Sequence, residues 1–232
     1  MDVRPSPIAG TWYPGEPKAL IKTLDRYLAA VQLQPCGNWL AVIAPHAGLR
    51  FSGPVAAHAF AGLRNTRPEV VVVIGPWHYS HSDPVLTTAH AAYQTPLGVI
   101  EVDQEATAVV DGLLTKSLGF GLTRVRRDPE HSVEIELPFL QHVIGNFRLA
   151  PIMMVDQGST VSEALGHALA EVLAGRTALL VASSDLSHHY PQKTALQLDR
   201  ELLRRVERFD PRGILQAEEE GAGLACGRGA IA

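Results

Sequence analysis

The 232-residue sequence has only two cysteines, Cys36 and Cys226. So few exclude the disulfide framework that staples small secreted domains. A block of basic residues is also missing. The 20 lysines and arginines are mixed with 24 acidic residues along the chain and leave a formal net charge of -4. Neither a nucleic-acid footprint nor a polybasic membrane anchor follows from such a pattern. The apolar runs are too short to span a bilayer, and the first residues, Met1 to Pro5, contain no apolar signal core. The expectation is a cytoplasmic protein that binds neither nucleic acid nor membrane. Two catalytic signatures are absent as well. No Gly-x-Ser-x-Gly elbow surrounds Ser183 and Ser184, and no phosphate-cradling Gly-x-x-x-x-Gly-Lys loop occurs.

What is present is a hydrophobic content of 46% and ten histidines. The first is enough for one large α/β core, and no linker divides the chain. Apolar strands are expected at 39–45, 69–74, 149–155 and from Thr177 to Ala182, with shorter ones at 83–88 and 99–102. The run Leu40 to Ala44 reads as a strand buried on both faces. Helices are expected at 17–31, 55–63, 103–118, 159–174, 193–208 and 211–219, those at 17–31 and 193–208 amphipathic. Asp103 suits the N-cap of the third, and Ser159 or Thr160 that of the fourth. Residues 128–146 carry helical spacing, with Pro138 predicted to kink or interrupt the helix. Strands alternating with helices argue for an α/β domain with a largely parallel or mixed sheet. Residues 4–14 hold three prolines and form an irregular arm. Trp12 and Tyr13 would anchor it, by packing alone or as a pocket wall.

Two strands deliver a histidine just past a proline: Pro45-His46 and Pro76-Trp77-His78. In open α/β sheets that edge is where ligands bind. Histidines ending nearby strands can converge on one metal ion, whereas His58, inside a small-residue helix, reads as structural. A third ligand would come from Asp185, Glu130, Glu134, His131 or Cys226. Two histidines with a carboxylate suit non-heme iron, and two with a thiolate suit copper or zinc and can also hold iron. Spacing does not choose among them. Asp185-Leu-Ser-His188 places an acid beside a histidine, an arrangement suited to acid/base work with the carboxylate orienting the imidazole. The competing reading is a loop cap with His188 exposed. Glu130-His-Ser-Val-Glu134 reads as a helix start, in which Ser132 or Glu130 would satisfy free N–H groups.

In chain order, Ala9-Gly-Thr-Trp-Tyr-Pro14, Pro45-His-Ala-Gly48, Phe51-Ser-Gly53, Gly75-Pro-Trp-His78 and Thr95-Pro-Leu-Gly98 resemble the pattern of the Memo family. So do Glu130-His-Ser-Val-Glu134, Leu137-Pro-Phe-Leu-Gln141, Ser183-Ser-Asp-Leu-Ser-His188 and Ala225-Cys-Gly227. The resemblance covers nearly the whole chain. It implies a three-layer α/β/α fold shared with the class III extradiol dioxygenases, which use non-heme ferrous iron. It further implies His46, His78 and Cys226 as metal ligands, the thiol standing where the dioxygenases have glutamate, with Fe(II) or copper bound, or zinc. His188, Asp185 and His131 would line the pocket, His188 as the acid/base group. A dioxygenase-like redox protein is one implied function. The alternatives are a module binding a phosphotyrosine peptide or small molecule, and a partner of the radical SAM and AMMECR-type proteins that accompany bacterial and archaeal members. Two departures stand out. His189 intervenes before Tyr190, where the family places tyrosine directly after the histidine. The family also continues through a further helix and strand, whereas this sequence ends at Ala232. The expectation is one Memo-like domain over 1–232 without those last elements, and with a core edge exposed.

Overall fold

Residues 70–74 are five consecutive β-branched residues, and in a strand their side chains point alternately to opposite faces. A computed structural model of the chain, which describes residues 1–32 and 39–232, places them in β3 at the centre of the molecule. Val71 and Val73 enter one apolar cluster, while Val70, Val72 and Ile74 enter the other. Both faces of the sheet are therefore covered, which is the condition for a continuous apolar strand.

The elements run β1 (Val3–Arg4), α1 (Pro17–Ala29), β2 (Ala41–Ala44), α2 (Leu49–Ala61), β3 (Val70–Pro76), β4 (Val85–Thr88), β5 (Ala92–Thr95) and β6 (Gly98–Glu101). There follow α3 (Gln104–Leu118), β7 (Thr123–Val125), a 3-10 turn (Glu134–Glu136), α4 (Leu137–Ile144), β8 (Arg148–Met154), α5 (Ser159–Val172) and β9 (Ala178–Ser183). Three helices close the chain: α6 (Gln192–Glu207), α7 (Pro211–Gln216) and α8 (Arg228–Ile231). The main sheet has the order β2-β9-β3-β8-β4-β7. Its first four strands are parallel, and β4 runs antiparallel to β8. A small sheet, β1-β5-β6, joins the N-terminus to the hairpin around Pro96 and Leu97. Helices α1, α2 and α4 cover one face of the main sheet, with Phe60 and Phe139 stacked at 5.0 Å, and α3 and α5 cover the other. The expected α/β/α layering with a mixed, largely parallel sheet is what the chain forms.

Four local expectations are corrected or sharpened. β2 is not buried on both faces. It is the sheet edge and alternates exposed and buried, with Leu40 76% exposed just before it. Its apolar run resembles that of β3, but only β3 has a strand on each side. Pro138 interrupts the helical stretch rather than kinking a helix: a 3-10 turn precedes it, and it stands in the first turn of α4, where the missing N–H is needed by no partner. The helix expected at 55–63 begins at Leu49 and carries Pro54 inside it. Pro54 cannot bond the carbonyl of Arg50, which is an exposed residue that water can reach. The cap of α5 is Gly158, and neither Ser159 nor Thr160 caps it. Asp103 caps α3 as expected, accepting from Ala106 N–H at 2.9 Å.

The N-terminal arm is held by charge. Arg4 is buried, with Nε 2.6 Å from Asp128 and Nη1 2.5 Å from Glu134. Its Nη2 donates to the Glu130 carbonyl at 2.6 Å, and its guanidinium lies over the Tyr93 ring. Tyr13 is buried and donates its hydroxyl to Glu134 at 2.7 Å, so the arm and the 128–134 segment form one clamp.

Candidate functional site

The carboxyl ends of β2, β9 and β3 meet at one cavity of about 410 Å³. The two histidine-bearing strands are not neighbours, because β9 runs between them. Their ends are therefore two strand spacings, roughly 9.6 Å, apart, and the side chains close the gap. His46 and His78 face each other edge-on with ring centroids 5.1 Å apart. Cys226 comes from the far end of the chain. Its N–H donates to the Asp185 carbonyl, and its Sγ sits 3.0 Å from His46 Nε2. Gly227 permits this approach, since a Cβ there would lie 2.4 Å from the Ser183 carbonyl oxygen. One ring nitrogen from each histidine and the thiol sulfur all lie within 4.8 Å of one another.

Behind each histidine stands a hydrogen-bond partner. Glu130 is fully buried and accepts from His78 N–H at 2.6 Å, His131 N–H at 2.8 Å and Ser132 N–H at 2.9 Å. Its Oε1 also lies 2.9 Å from His78 Nδ1, which leaves Nε2 of that ring for the cavity. Gly75 allows the turn to come this close, because a Cβ would meet Ser132 Oγ at 2.5 Å. Burial alone would raise the Glu130 pKa, but the hydrogen bonds from His78 outweigh it and hold the carboxyl down at about 2. Glu130 does not cap a helix, since the 3-10 turn and α4 have no side-chain cap; its carboxylate serves the N–H groups of the turn before them and orients His78. On the other side, His46 Nδ1 lies 2.9 Å from Ser183 Oγ.

Electrostatically the cluster is split. Burial disfavours a charged His78, but hydrogen bonds to Cys226 and Glu130 prevail and push its pKa up to about 9. Burial disfavours the Cys226 thiolate too, yet its hydrogen bonds with the His46 and His78 imidazoles, with the Asp185 N–H donating to sulfur, bring it down to about 6. His131 goes the other way. Desolvation, only partly opposed by Glu130, lowers it to about 4, so it is a neutral imidazole at pH 7. Its ring stacks on His78 at 4.5 Å, and Trp12 lies against it at 4.3 Å. Trp12 is thus pocket wall, and Tyr13 is the packing anchor.

In chelator-treated protein carrying Cys36→Ser, the Cys226 thiol should titrate with a midpoint near pH 6, as read by iodoacetamide alkylation rate. The stability its thiolate contributes is fully present above the unfolded thiol value of about 9. It is lost as the pH falls through about 6. A midpoint at the ordinary thiol value would remove the imidazoles as its partners. Cys36 itself lies outside the described residues.

The expected Asp185–His188 pair is not formed. Asp185 Oδ1 accepts from His46 N–H at 2.9 Å and Ala47 N–H at 3.2 Å, so it braces the loop after β2. His188 lines the cavity mouth, is exposed, and has Nδ1 2.9 Å from its own loop's Leu186 carbonyl. The loop turns there through His189 in the left-handed conformation, φ 64°. His58 is an exposed residue of α2 outside the cavity. Glu134 is taken by Arg4 and Tyr13 and does not reach the cluster. Ser183, singled out only as a hydrolase residue, and Glu136, not singled out at all, prove to stand behind His46.

Fold and site together define an α/β/α protein with two imidazoles and a thiol gathered at the carboxyl edge of a parallel sheet. The chain belongs to the Memo family: the family model described as Memo-like protein matches residues 4–232. A MEMO1 family protein of Thermotoga neapolitana is 34% identical over 242 aligned positions, covering 99% of this chain and 86% of that relative. One from Methanopyrus kandleri is 35% identical over 97% of this chain and 83% of its own length. One from Caldivirga maquilingensis is 35% identical over 83% and 68%. No helix among the described residues is long and apolar enough to cross a membrane.

Proposed function

We propose that the cluster is a transition-metal site and that the protein carries out dioxygenase-like redox chemistry on a small molecule bound in the cavity. The observation that supports this reading is the convergence of His46, His78 and Cys226 donors within 4.8 Å. The donor chemistry fits: two imidazoles and a thiolate suit iron, copper or zinc. Each imidazole also has its other nitrogen tied to a neighbour, as metal-bound histidines do. The second group of possible donors, His78, Glu130 and His131, is weaker, because Glu130 is already occupied by the N–H groups that orient the turn. A bound iron or copper would supply open positions and one-electron chemistry. The chain's own residues would do the rest. Glu130 would hold His78, Trp12 and Phe51 would wall the cavity against water, and His131 and His188 would accept or return a proton on a bound ligand.

The test is anaerobic titration of metal-free protein with Fe(II), Cu(I) and Zn(II) against a chromophoric chelator. One equivalent bound with Kd below about 1 μM is expected, with a thiolate charge-transfer band in the cupric form. Failure of all three metals to bind that tightly would leave a metal-free ligand-binding module as the reading. Glu130→Gln should weaken metal binding by about 10- to 100-fold, because a neutral amide cannot serve the N–H groups the carboxylate serves. Affinity unchanged in that variant would mean that Glu130 has no part in orienting a ligand.

A further inference from the structure

Ser183 ends β9 and is buried, and its single hydroxyl meets three partners. Oγ lies 2.6 Å from the Ser132 carbonyl, 2.9 Å from His46 Nδ1 and 2.9 Å from Glu136 Oε1. A hydroxyl has one proton to give and two lone pairs to fill. The carbonyl can only accept, so it takes the Ser183 proton. The two remaining partners must then be donors: His46 through Nδ1–H, and Glu136 through the O–H of a neutral carboxylic acid. An ionised Glu136 would set two acceptors against one proton. It would also stand as a buried charge, for no cation among the described residues forms a salt bridge with it. Burial in turn raises the pKa of Glu136 well above the usual carboxylate range, outweighing the opposing effect of the Ser183 contact, and the charge of Asp185 adds to this.

We infer that Ser183 and Glu136 are positioning residues for His46: a neutral Glu136 directs the Ser183 hydroxyl so that it accepts from His46 Nδ1–H, which turns the other ring nitrogen toward Cys226. This inference rests on the reading of His46 as a ligand. It makes the two histidines unlike. His78 backs onto an ionised carboxylate, which strengthens it as an electron donor, whereas His46 backs onto a neutral hydroxyl. The asymmetry comes from burial. Glu130 is saturated by N–H donors, and among the described residues the Glu136 carboxyl has only Ser183.

Two measurements on metal-free protein at neutral pH test the hydrogen-bond assignment directly. Infrared difference spectra of wild type against Glu136→Gln should show the carbonyl stretch of a protonated carboxylic acid, shifted in Ser183→Ala. Nitrogen-15 imidazole spectra should show a protected Nδ1–H on His46 that loses its protection in Ser183→Ala. Absence of the acid band, or an unprotonated Nδ1, overturns the inference. Metal affinity then tests the positioning role. Ser183→Ala and Glu136→Leu should bind about 10- to 100-fold more weakly, and Glu136→Gln, whose amide still donates, should stay near wild type. Wild-type affinity in both Ser183→Ala and Glu136→Leu also overturns it. Should the wild type bind no metal, the metal-site reading fails alone, and the infrared and nitrogen-15 spectra still decide the hydrogen-bond assignment.

Discussion

Alanine at His46 or His78, or serine at Cys226, is expected to lower transition-metal affinity by about 100-fold or more, with secondary structure unchanged. Thiolate and imidazole sites bind zinc with an apparent free energy of ~10 kcal/mol or more. Shared over three donors, each contributes ~3 kcal/mol, which is roughly 100-fold in Kd. The three variants should differ in a readable way. Cys226→Ser removes the thiolate charge-transfer band and shifts preference away from copper toward harder ions. His46→Ala leaves the Ser183 hydroxyl without its imidazole donor, and His78→Ala leaves Glu130 with a free oxygen lone pair. None of the three side chains supports the core, since the apolar clusters are built from other residues. Competition titration with circular dichroism on the same samples checks both halves. Equal affinity in wild type and all three variants would remove the cluster from consideration as a metal site.

The second large effect falls at a residue that does not line the cavity. Arg4→Met should destabilise the protein by about 3–5 kcal/mol, because it leaves the Asp128 and Glu134 carboxylates buried without a countercharge. Urea denaturation measures the loss as a lower midpoint at constant slope. Adding Glu134→Gln to Arg4→Met should recover part of it, since the double variant no longer buries that charge. A loss under 1 kcal/mol for Arg4→Met would mean that water reaches the carboxylates. The same variant should weaken ligand binding at the cavity, because Arg4 also holds the Glu130 carbonyl and so the turn that carries Glu130 and His131.

The differences between expectation and structure have a common origin. The runs at β2 and β3 look alike because period and hydrophobicity report burial of a strand, not its place in the sheet. Only the order β2-β9-β3 shows that one is an edge and that Ser183 and Asp185 stand between the two histidines. Asp185 and His188 are three residues apart, which suggested a pair, but the parallel register sets Asp185 beside the N–H groups of His46 and Ala47 instead. Glu136 looks like one acid among many in a helical stretch. It becomes distinctive only when Ser183, 47 residues on, closes over it.

By itself the sequence determined the layered α/β architecture and the motif residues His46, His78, His131, Asp185, His188 and Cys226. Periodicity and the residue types at strand ends are local properties, and a chain states them directly. The tertiary structure shows how Cys226, 180 residues from His46 and implied as a ligand by the family resemblance, reaches that histidine. It also decided that Arg4 anchors the turn carrying Glu130, and that Glu130 and Glu136 sit among different hydrogen-bond partners. Each of these depends on desolvation and on which polar groups fill a given lone pair, and both are set only when distant segments pack together.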